Sequence, residues 1–405
     1  MALKDTQNRT IVFPIAESSY QTFMQDQPVA HQQIKEAFDQ HPELFPPAMS
    51  KGYMLNGRTR VSQKLGLQLR KIKVSGVSYQ LRPSFLLPAM RAKTNEVSKP
   101  LFLLRFGVPF WALAFVFGRN PMWWYRLYLC LGRSSIVGTT VYKTDCLPED
   151  VLADEHHVRV RGRKAYIATT IGQGCILGVQ ACARADEATL AEGYGVFQQE
   201  ALDANPSYQP VSVNTDGWPA TQKVWQSLFP TIAVVECFLH AFIKVRDRAT
   251  KKLEGFFDTA ATKIWDCYRA ESKGQLAQQI RRLREWTKKH LPQCAMKDNI
   301  LKLCAKKKRW IQHLDFPSAH RTSNMLDRVM RAMSRHAFNS QMFHATIDST
   351  TANFRAFALL YNFSPSCPAV TKLQQQLTSP AARLNSFAYH QDWIQNLLIA
   401  ASMGG

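Results

Sequence analysis

Three aspartates in this 405-residue chain are placed where a fold could bring them together. Asp216 ends an apolar run, Asp154 lies in an alternating run, and Asp327 lies on a helical stretch between basic residues. An acid at the carboxyl end of a buried strand lies where α/β sheets place their chemistry. Mg²⁺ prefers oxygen ligands, and two such ions can activate a water molecule or a 3′-hydroxyl and stabilise the leaving oxygen. We therefore expect these aspartates to be catalytic ligands of two Mg²⁺ ions, with Mn²⁺ as a substitute.

Each of these acids also has an ordinary structural explanation. A single aspartate such as Asp154 is often a turn residue. Asp327 could form a helix-surface ion pair with Arg328 or Arg331. Glu155 would replace Asp154 as the ligand if the strand register shifted by one residue, because such a shift exchanges the two faces of a strand. The elements around the acids must decide among these alternatives.

The order of the predicted strands and helices after residue 150 indicates a particular fold. Short apolar or alternating runs predict five strands, and helical periodicity predicts helices over Asp186–Asn205 and Gly217–Leu228 between the later strands. The five strand segments are VLADEHHVRV, AYIATTI, CILGVQACA, PVSVNTD and TIAVVECF. Three antiparallel strands followed by helix, strand, helix and strand is the order of the RNase H-like fold. The predicted class is therefore α/β, with a mixed five-stranded sheet in which the first and fourth strands, with Asp154 and Asp216, are neighbours.

Four segments carry a family resemblance: LADEHHVRVRGRKAYIATT, VNTDGW, CFLH and HRTSNMLDRVMR. In order and spacing they resemble the DDE/D transposases of bacterial insertion sequences, especially the Mutator-like group with a helical insertion before the third acid. The resemblance implies that Asp154 and Asp216 are the first two metal ligands and that Cys237 and His240 match the family's C-x-x-H. Asp327 stands where many members carry glutamate, although mariner-like transposases also use a third aspartate.

Two further alternatives follow from this resemblance. Glu254 is the rival third acid, because its distance from Asp216 is close to the spacing in integrases that lack a helical insertion. The implied activity is metal-dependent cleavage of transposon ends and strand transfer into target DNA. The alternative is a catalytically inactive, transposase-derived DNA-binding protein.

The charge distribution favours a nucleic-acid partner. The formal net charge is +21, and residues 281–309 carry eleven Lys or Arg against two acids. Such a one-sided excess is typical of a surface that follows phosphates. We expect double-stranded DNA, both transposon ends and target, as partner, and a dimer that brings two ends together. The expected DNA-binding residues are His240, Lys306, Lys307, Lys308, Arg309, Arg321, Arg328 and Arg331.

Composition changes divide the chain into four predicted parts. Residues 1–145 form an N-terminal DNA-binding region that is mostly helical with a β-hairpin over 71–83, and residues 146–240 form the first part of the core. Residues 241–317 form a basic helical insertion, and residues 318–405 contribute the final helices and tail. Within the first part, Asn120 should cap a helix that has Pro121 at its first position. The helices over 101–135 fit either a helix-turn-helix or a plain helical core.

The remaining signals concern the compartment. Nine scattered cysteines without a C-x-x-C indicate a reducing cytosol. The apolar run from Phe106 to Gly118 is shorter than the roughly 20 residues that a membrane span requires, so we expect it to be a buried helical segment. The predicted location is the cytoplasm, in association with the nucleoid and not with a membrane.

Overall fold

The computed structural model describes residues 9–88, 90–340, 343, 345–373 and 377–402. Its strands are β1 (Thr10–Phe13), β2 (Met54–Arg58), β3 (Arg70–Val74), β4 (Val77–Pro83), β5 (Asp150–Val160), β6 (Arg163–Gly172), β7 (Cys175–Cys182), β8 (Ser212–Thr215) and β9 (Ala233–Glu236). They form two sheets, one of four strands and one of five.

Helices fill the rest of the chain. Those before and within the five-stranded sheet are α1 (Glu17–Gln25), α2 (Gln27–Gln40), α3 (Thr94–Arg105), α4 (Phe110–Phe117), α5 (Pro121–Leu131), α6 (Ile136–Thr140), α7 (Glu187–Ala204) and α8 (Pro219–Leu228). After the last strand come α9 (Phe238–Arg246), α10 (Glu254–Tyr268), α11 (Lys273–His290), α12 (Ala295–Ala305), α13 (Lys307–Asp315), α14 (Asn324–Asn339), α15 (Ile347–Phe363), α16 (Pro368–Leu373), α17 (Pro380–Asn385) and α18 (Trp393–Ala401).

The five-stranded sheet has the order β7-β6-β5-β8-β9. β5, β6 and β7 are antiparallel neighbours, whereas β8 pairs in parallel with both β5 and β9. The five predicted strands and the two predicted helices between the later strands are confirmed, and so is the adjacency of the first and fourth strands. Helices α9–α13 follow the fifth strand, where the sequence predicts a helical segment.

Side chains alternate along β5 between two different hydrophobic layers. Leu152 and Val158 contribute to a core that also contains Leu326, Val329 and Met333 of α14. Residues that alternate with them, such as Val151 and Ala153, belong to a second core with α7 and α8. Neighbouring residues of β5 therefore face different helices, because successive side chains of a strand point to opposite faces. The helices of the insertion have a third core of their own.

The four-stranded sheet has the order β1-β4-β3-β2. The predicted hairpin is confirmed as β3 and β4, which turn through Ser75 and Gly76 with φ angles of 47° and 86°. β1 and β2 were not predicted. β1 joins the hairpin in parallel from a position far earlier in the chain, and a pairing of that kind leaves no local turn signal. The buried residues of this sheet belong to the same core as those of α14, α15 and α18.

The expectation of a buried segment over Phe106–Gly118 is wrong. The segment does form α4, but Trp111, Phe115 and Val116 are 68%, 87% and 66% exposed, and Leu113 is the one buried residue of the helix. α4 packs on its neighbours through the face of Leu113, and its other faces are exposed although they are apolar. In the part of the chain that the structure describes, no helix combines the length and apolarity that crossing a membrane requires.

The start of α5 follows the prediction. The Asn120 side chain accepts a hydrogen bond from the Met122 N–H at 2.7 Å, and Pro121 is the first helical residue. Trp124 and Tyr128 of this helix are buried, and the Tyr128 hydroxyl donates to the Asn353 carbonyl of α15 at 2.8 Å. This packing matches the plain helical core that the sequence left open for residues 101–135.

Candidate active site

Two predicted ligands lie on neighbouring strands of the five-stranded sheet, near the end of β8. β5 and β8 pair in parallel, with Leu152 opposite Asn214. Asp154 is two residues beyond Leu152, and Asp216 is two residues beyond Asn214, immediately after β8. The same register that pairs the strands therefore brings the two acids to one level of the sheet.

A tight turn fixes the Asp216 backbone. The Asp216 carboxylate accepts a hydrogen bond from the Trp218 N–H at 2.9 Å. Between them, Gly217 has a φ of +93°, and a Cβ at this position would lie 2.7 Å from Oε1 of Glu236. Both the positive φ and the lack of space favour glycine here. The D-G pair after the fourth strand therefore reflects a close contact with the end of β9.

Asp154 is mostly buried, and its carboxyl group is sensitive to the other acids. Burial raises the pKa of Asp154 to about 6, and the Asp216 and Asp327 carboxylates contribute in the same direction. The hydrogen bond from the Glu155 N–H, at 2.8 Å, and the nearby His240 ring act in the opposite direction. Charges at the end of β8 and on α14 therefore both act on the carboxyl group of Asp154, which lies on β5.

Asp327 is oriented by a serine at the start of α14. The Ser323 hydroxyl lies 3.3 and 3.2 Å from the two carboxylate oxygens of Asp327. The run Thr322-Ser323-Asn324 predicts that Thr322 or Ser323 caps this helix, and Ser323 does occupy the cap position. Its side chain makes no capping hydrogen bond to a helix N–H, because the hydroxyl binds the Asp327 side chain instead.

Glu155 lies on the other face of the sheet from Asp154. Its carboxylate accepts hydrogen bonds from the Tyr194 hydroxyl of α7 at 2.7 Å and from the Thr221 hydroxyl of α8 at 2.6 Å. Burial raises the pKa of Glu155 to about 7, although these two hydrogen bonds oppose the rise. The register therefore places Asp154, and not Glu155, on the face of α14. The rival third acid, Glu254, is the exposed first residue of α10.

Cys237 and His240 form a polar pair beside Asp327. The hydrogen bond with Cys237 is the main reason that the pKa of His240 rises to about 9, and the Asp327 and Asp154 carboxylates add to this rise. Burial alone would raise the pKa of Cys237, but hydrogen bonds to His240 and Ser323 outweigh it and lower that pKa. His240 therefore places positive charge next to the carboxylates. It lies inside the site, where its neighbours are Cys237 and Ser323.

The donor chemistry of the site suits a hard divalent cation, because the three aspartates offer oxygen atoms. Each carboxylate also accepts a hydrogen bond from the protein: Asp216 from the Trp218 N–H, Asp327 from the Ser323 hydroxyl and Asp154 from the Glu155 N–H. Among the residues that the structure describes, no three His, Cys, Asp or Glu side chains are arranged to hold a metal ion.

The predicted DNA-binding residues divide into two groups. In the first, Lys306 forms an ion pair with the buried Glu236, and Arg309 pairs with the same carboxylate at 2.9 Å. Arg321 also belongs here, since its guanidinium lies 4.5 Å from the centre of the Tyr268 ring. In the second group, Lys307, Lys308, Arg328 and Arg331 are exposed. The first three cations therefore have structural partners, and the other four are available to a ligand.

Two residues of this site were missed in the sequence. Ser323 precedes Asp327 by one helical turn, a spacing at which side chains meet, but it was read only as a cap. Glu236 ends the fifth strand as Asp216 follows the fourth, and Thr215 is paired with Glu236 across the two strands. The cations that pair with Glu236 lie far along the chain, next to and within α13, so no local sequence pattern predicts these ion pairs.

Neither models of known protein families nor curated proteins match this sequence. The arguments for function therefore rest on the residues and their geometry.

Proposed function

We propose that this protein is a DNA transposase of the DDE/D type. In this view the five-stranded sheet is an RNase H-like core that cuts transposon ends and joins the resulting 3′-hydroxyl to target DNA. The observation that carries the proposal is the strand register that brings Asp154 and Asp216 to one level of the sheet, with the charge of Asp327 on α14 also acting on Asp154. The strand order β7-β6-β5-β8-β9, with the helical insertion before the third acid, supports the same assignment.

Asp154, Asp216 and Asp327 would hold Mg²⁺, or Mn²⁺ in its place. When bound, the ions would activate the attacking hydroxyl and stabilise the leaving oxygen. The protein's own contribution is to concentrate negative charge in a partly buried place. Asp154, with its pKa raised to about 6, would release its proton more readily once a cation neutralises its neighbours.

The surroundings of the acids are suited to DNA. The chain has a formal net charge of +21, and the exposed Lys307, Lys308, Arg328 and Arg331 offer positive charge on α13 and on α14, the helix of Asp327. Phosphate contacts of this kind supply affinity and position the duplex, without reading sequence. We propose double-stranded DNA as the partner, a dimer for the pairing of two ends, and a location in the cytoplasm with the nucleoid.

One observation favours a second candidate. The described conformation has no group of three potential ligands arranged around a metal site. A transposase-derived protein that binds DNA but no longer cleaves it would have this property. The two candidates differ in whether the acids bind a cation, and that difference can be measured.

Replacement of Asp216 by alanine tests the proposal. The substrate is double-stranded DNA carrying the sequences that flank the gene for this protein, incubated with Mg²⁺ or Mn²⁺. Asp216→Ala should abolish cleavage and leave DNA affinity nearly unchanged, because the carboxylate repels phosphate rather than binding it. The matched control is Glu254→Gln, which removes an acid outside the cluster and should cleave like the wild type. Cleavage by Asp216→Ala at the wild-type rate would reject the proposed role. DNA binding without cleavage by the wild type would favour the second candidate.

A further inference from the structure

Ser323 lies at the centre of a small hydrogen-bonded cluster next to Asp327. Its hydroxyl oxygen is 3.2 and 3.3 Å from the Asp327 carboxylate oxygens, 3.3 Å from the Cys237 sulfur and 3.4 Å from Nδ1 of His240. Its backbone N–H donates to the same sulfur at 3.3 Å. Ser323 is buried, so these contacts are shielded from water. One small side chain thus connects α9 to the third acid.

The protons that each group carries determine which groups donate and which accept in this cluster. A serine hydroxyl has one proton to donate and two lone pairs that accept. An ionised carboxylate has no proton, so the Ser323 hydroxyl must donate to Asp327. Its lone pairs then accept from the partners that carry protons, the Cys237 thiol or the His240 ring. The chain of hydrogen bonds therefore runs from α9 through Ser323 to Asp327.

The backbone holds both ends of this chain in place. The Phe238 N–H at the start of α9 donates to the Arg321 carbonyl at 3.3 Å, and the Asp327 N–H donates to the Ser323 carbonyl at 2.8 Å. Ser323 itself forms no capping bond with its side chain, so the hydroxyl is not required for the helix start. A serine that served only to begin α14 would use its hydroxyl on a helix N–H.

We propose that Ser323 is a positioning residue that holds the Asp327 carboxylate in the orientation needed to bind a divalent cation, and that Cys237 and His240 hold Ser323. This inference rests on the proposed function, because it assigns Asp327 as a metal ligand. Groups that orient a ligand in this way matter almost as much as the ligand, and their loss typically costs about 10–100-fold in metal affinity. The proposal explains why the cysteine and histidine lie close to the acids without forming a metal site of their own.

The experiment measures Mn²⁺ affinity of the full chain without DNA, by electron paramagnetic resonance of the free ion. Ser323→Ala should weaken Mn²⁺ binding by about tenfold, whereas Ser323→Thr, which keeps the hydroxyl, should restore most of it. The matched control is Thr322→Ala, since the adjacent hydroxyl of Thr322 makes no hydrogen bond within the described residues. Circular dichroism of each variant checks that it is folded.

A second pair of variants separates a positioning role of Ser323 from a general loss of structure. In protein that already carries Asp327→Asn, the additional Ser323→Ala change should have no further effect on Mn²⁺ affinity, because the group that Ser323 orients is no longer a charged ligand. Wild-type affinity in Ser323→Ala, or an equal loss in both backgrounds, would overturn the inference while leaving the proposed function intact. A wild-type protein that binds no Mn²⁺ would instead reject the metal-dependent function, and with it the ligand role on which the inference rests.

Discussion

Asp154 and Glu155 are adjacent acids on β5 that lie on opposite faces of the same sheet. On one face, burial raises the pKa of Asp154 to about 6, and the charges of Asp216 and Asp327 act in the same direction. On the other face, Glu155 is enclosed by Tyr194 and Thr221, whose hydroxyls both donate to it. Both acids are buried and both have a raised pKa, yet their surroundings differ in kind.

The difference shows what makes a buried acid a candidate for chemistry. The two donors to Glu155 are neutral hydroxyls, and both bind its Oε1 atom. Asp154 has acids for neighbours, an arrangement that an added positive charge stabilises. A raised pKa by itself does not separate these two cases, whereas the identity of the neighbours does.

The largest expected effect comes from replacing Asp154 and Glu155, in separate variants, by their amides. Asp154→Asn should lower Mg²⁺-dependent DNA cleavage by more than the roughly 10–100-fold typical of groups that only orient a ligand. Glu155→Gln keeps the shape of the side chain on the opposite face and should retain cleavage within a few-fold. Equal losses in the two variants would erase the functional distinction between the faces.

The next effect concerns Glu236, a third buried acid, which is neutralised by cations. The double change Lys306→Gln and Arg309→Gln leaves its carboxylate buried without a partner, which should lower the free energy of unfolding by about 3 kcal/mol. The matched control is Lys307→Gln with Lys308→Gln. It should change stability by less than about 0.5 kcal/mol and reduce the slope of log DNA affinity against log salt by about 0.9 for each lost phosphate contact. Urea unfolding and salt titrations measure both, and equal stability of the two pairs would contradict this assignment.

The smallest expected effect concerns the face of the sheet on which Glu155 lies. Tyr194→Phe removes one of the two hydroxyls that donate to Glu155 and should cost about 1–3 kcal/mol of stability, with DNA cleavage unchanged. Tyr166→Phe is the control, because its hydroxyl has no hydrogen-bond partner in the described part of the chain, and it should be close to neutral. Loss of cleavage in Tyr194→Phe without loss of stability would give the Glu155 face a part in the reaction.

Much of the sheet could be predicted because its signals are local. Alternation along β5 and the clear turns after β5, β6 and β8 reveal five strands, and the parallel pairing of β5 with β8 follows from their order. The exposed face of α4 and the strand β1 could not be predicted, because each depends on which distant segment packs against it. Residues such as Trp111 and Phe115 have the same apolar character in a buried helix and in an exposed one.

The candidate site likewise has features that could be predicted from the sequence and features that could not. The positions of Asp154 and Asp216 follow from strand order and register, and Asp327 follows from a helix that begins where the sequence indicated. The hydrogen bonds of Ser323 and the ion pairs of Glu236 join residues that are far apart in the chain. No local sequence pattern indicates these contacts, so the ion pair of Lys306 with Glu236 could not be predicted.

The most direct test of the central claim is a crystal structure of the protein with Mn²⁺, read from the anomalous signal of the metal. The proposed metal-dependent function predicts an anomalous peak bonded to carboxylate oxygens of Asp154, Asp216 and Asp327, with none at Glu155 or Glu254. Absence of a peak at saturating Mn²⁺, or a peak held by other residues while these three carboxylates point away from it, would contradict the account and favour a DNA-binding protein without catalytic activity.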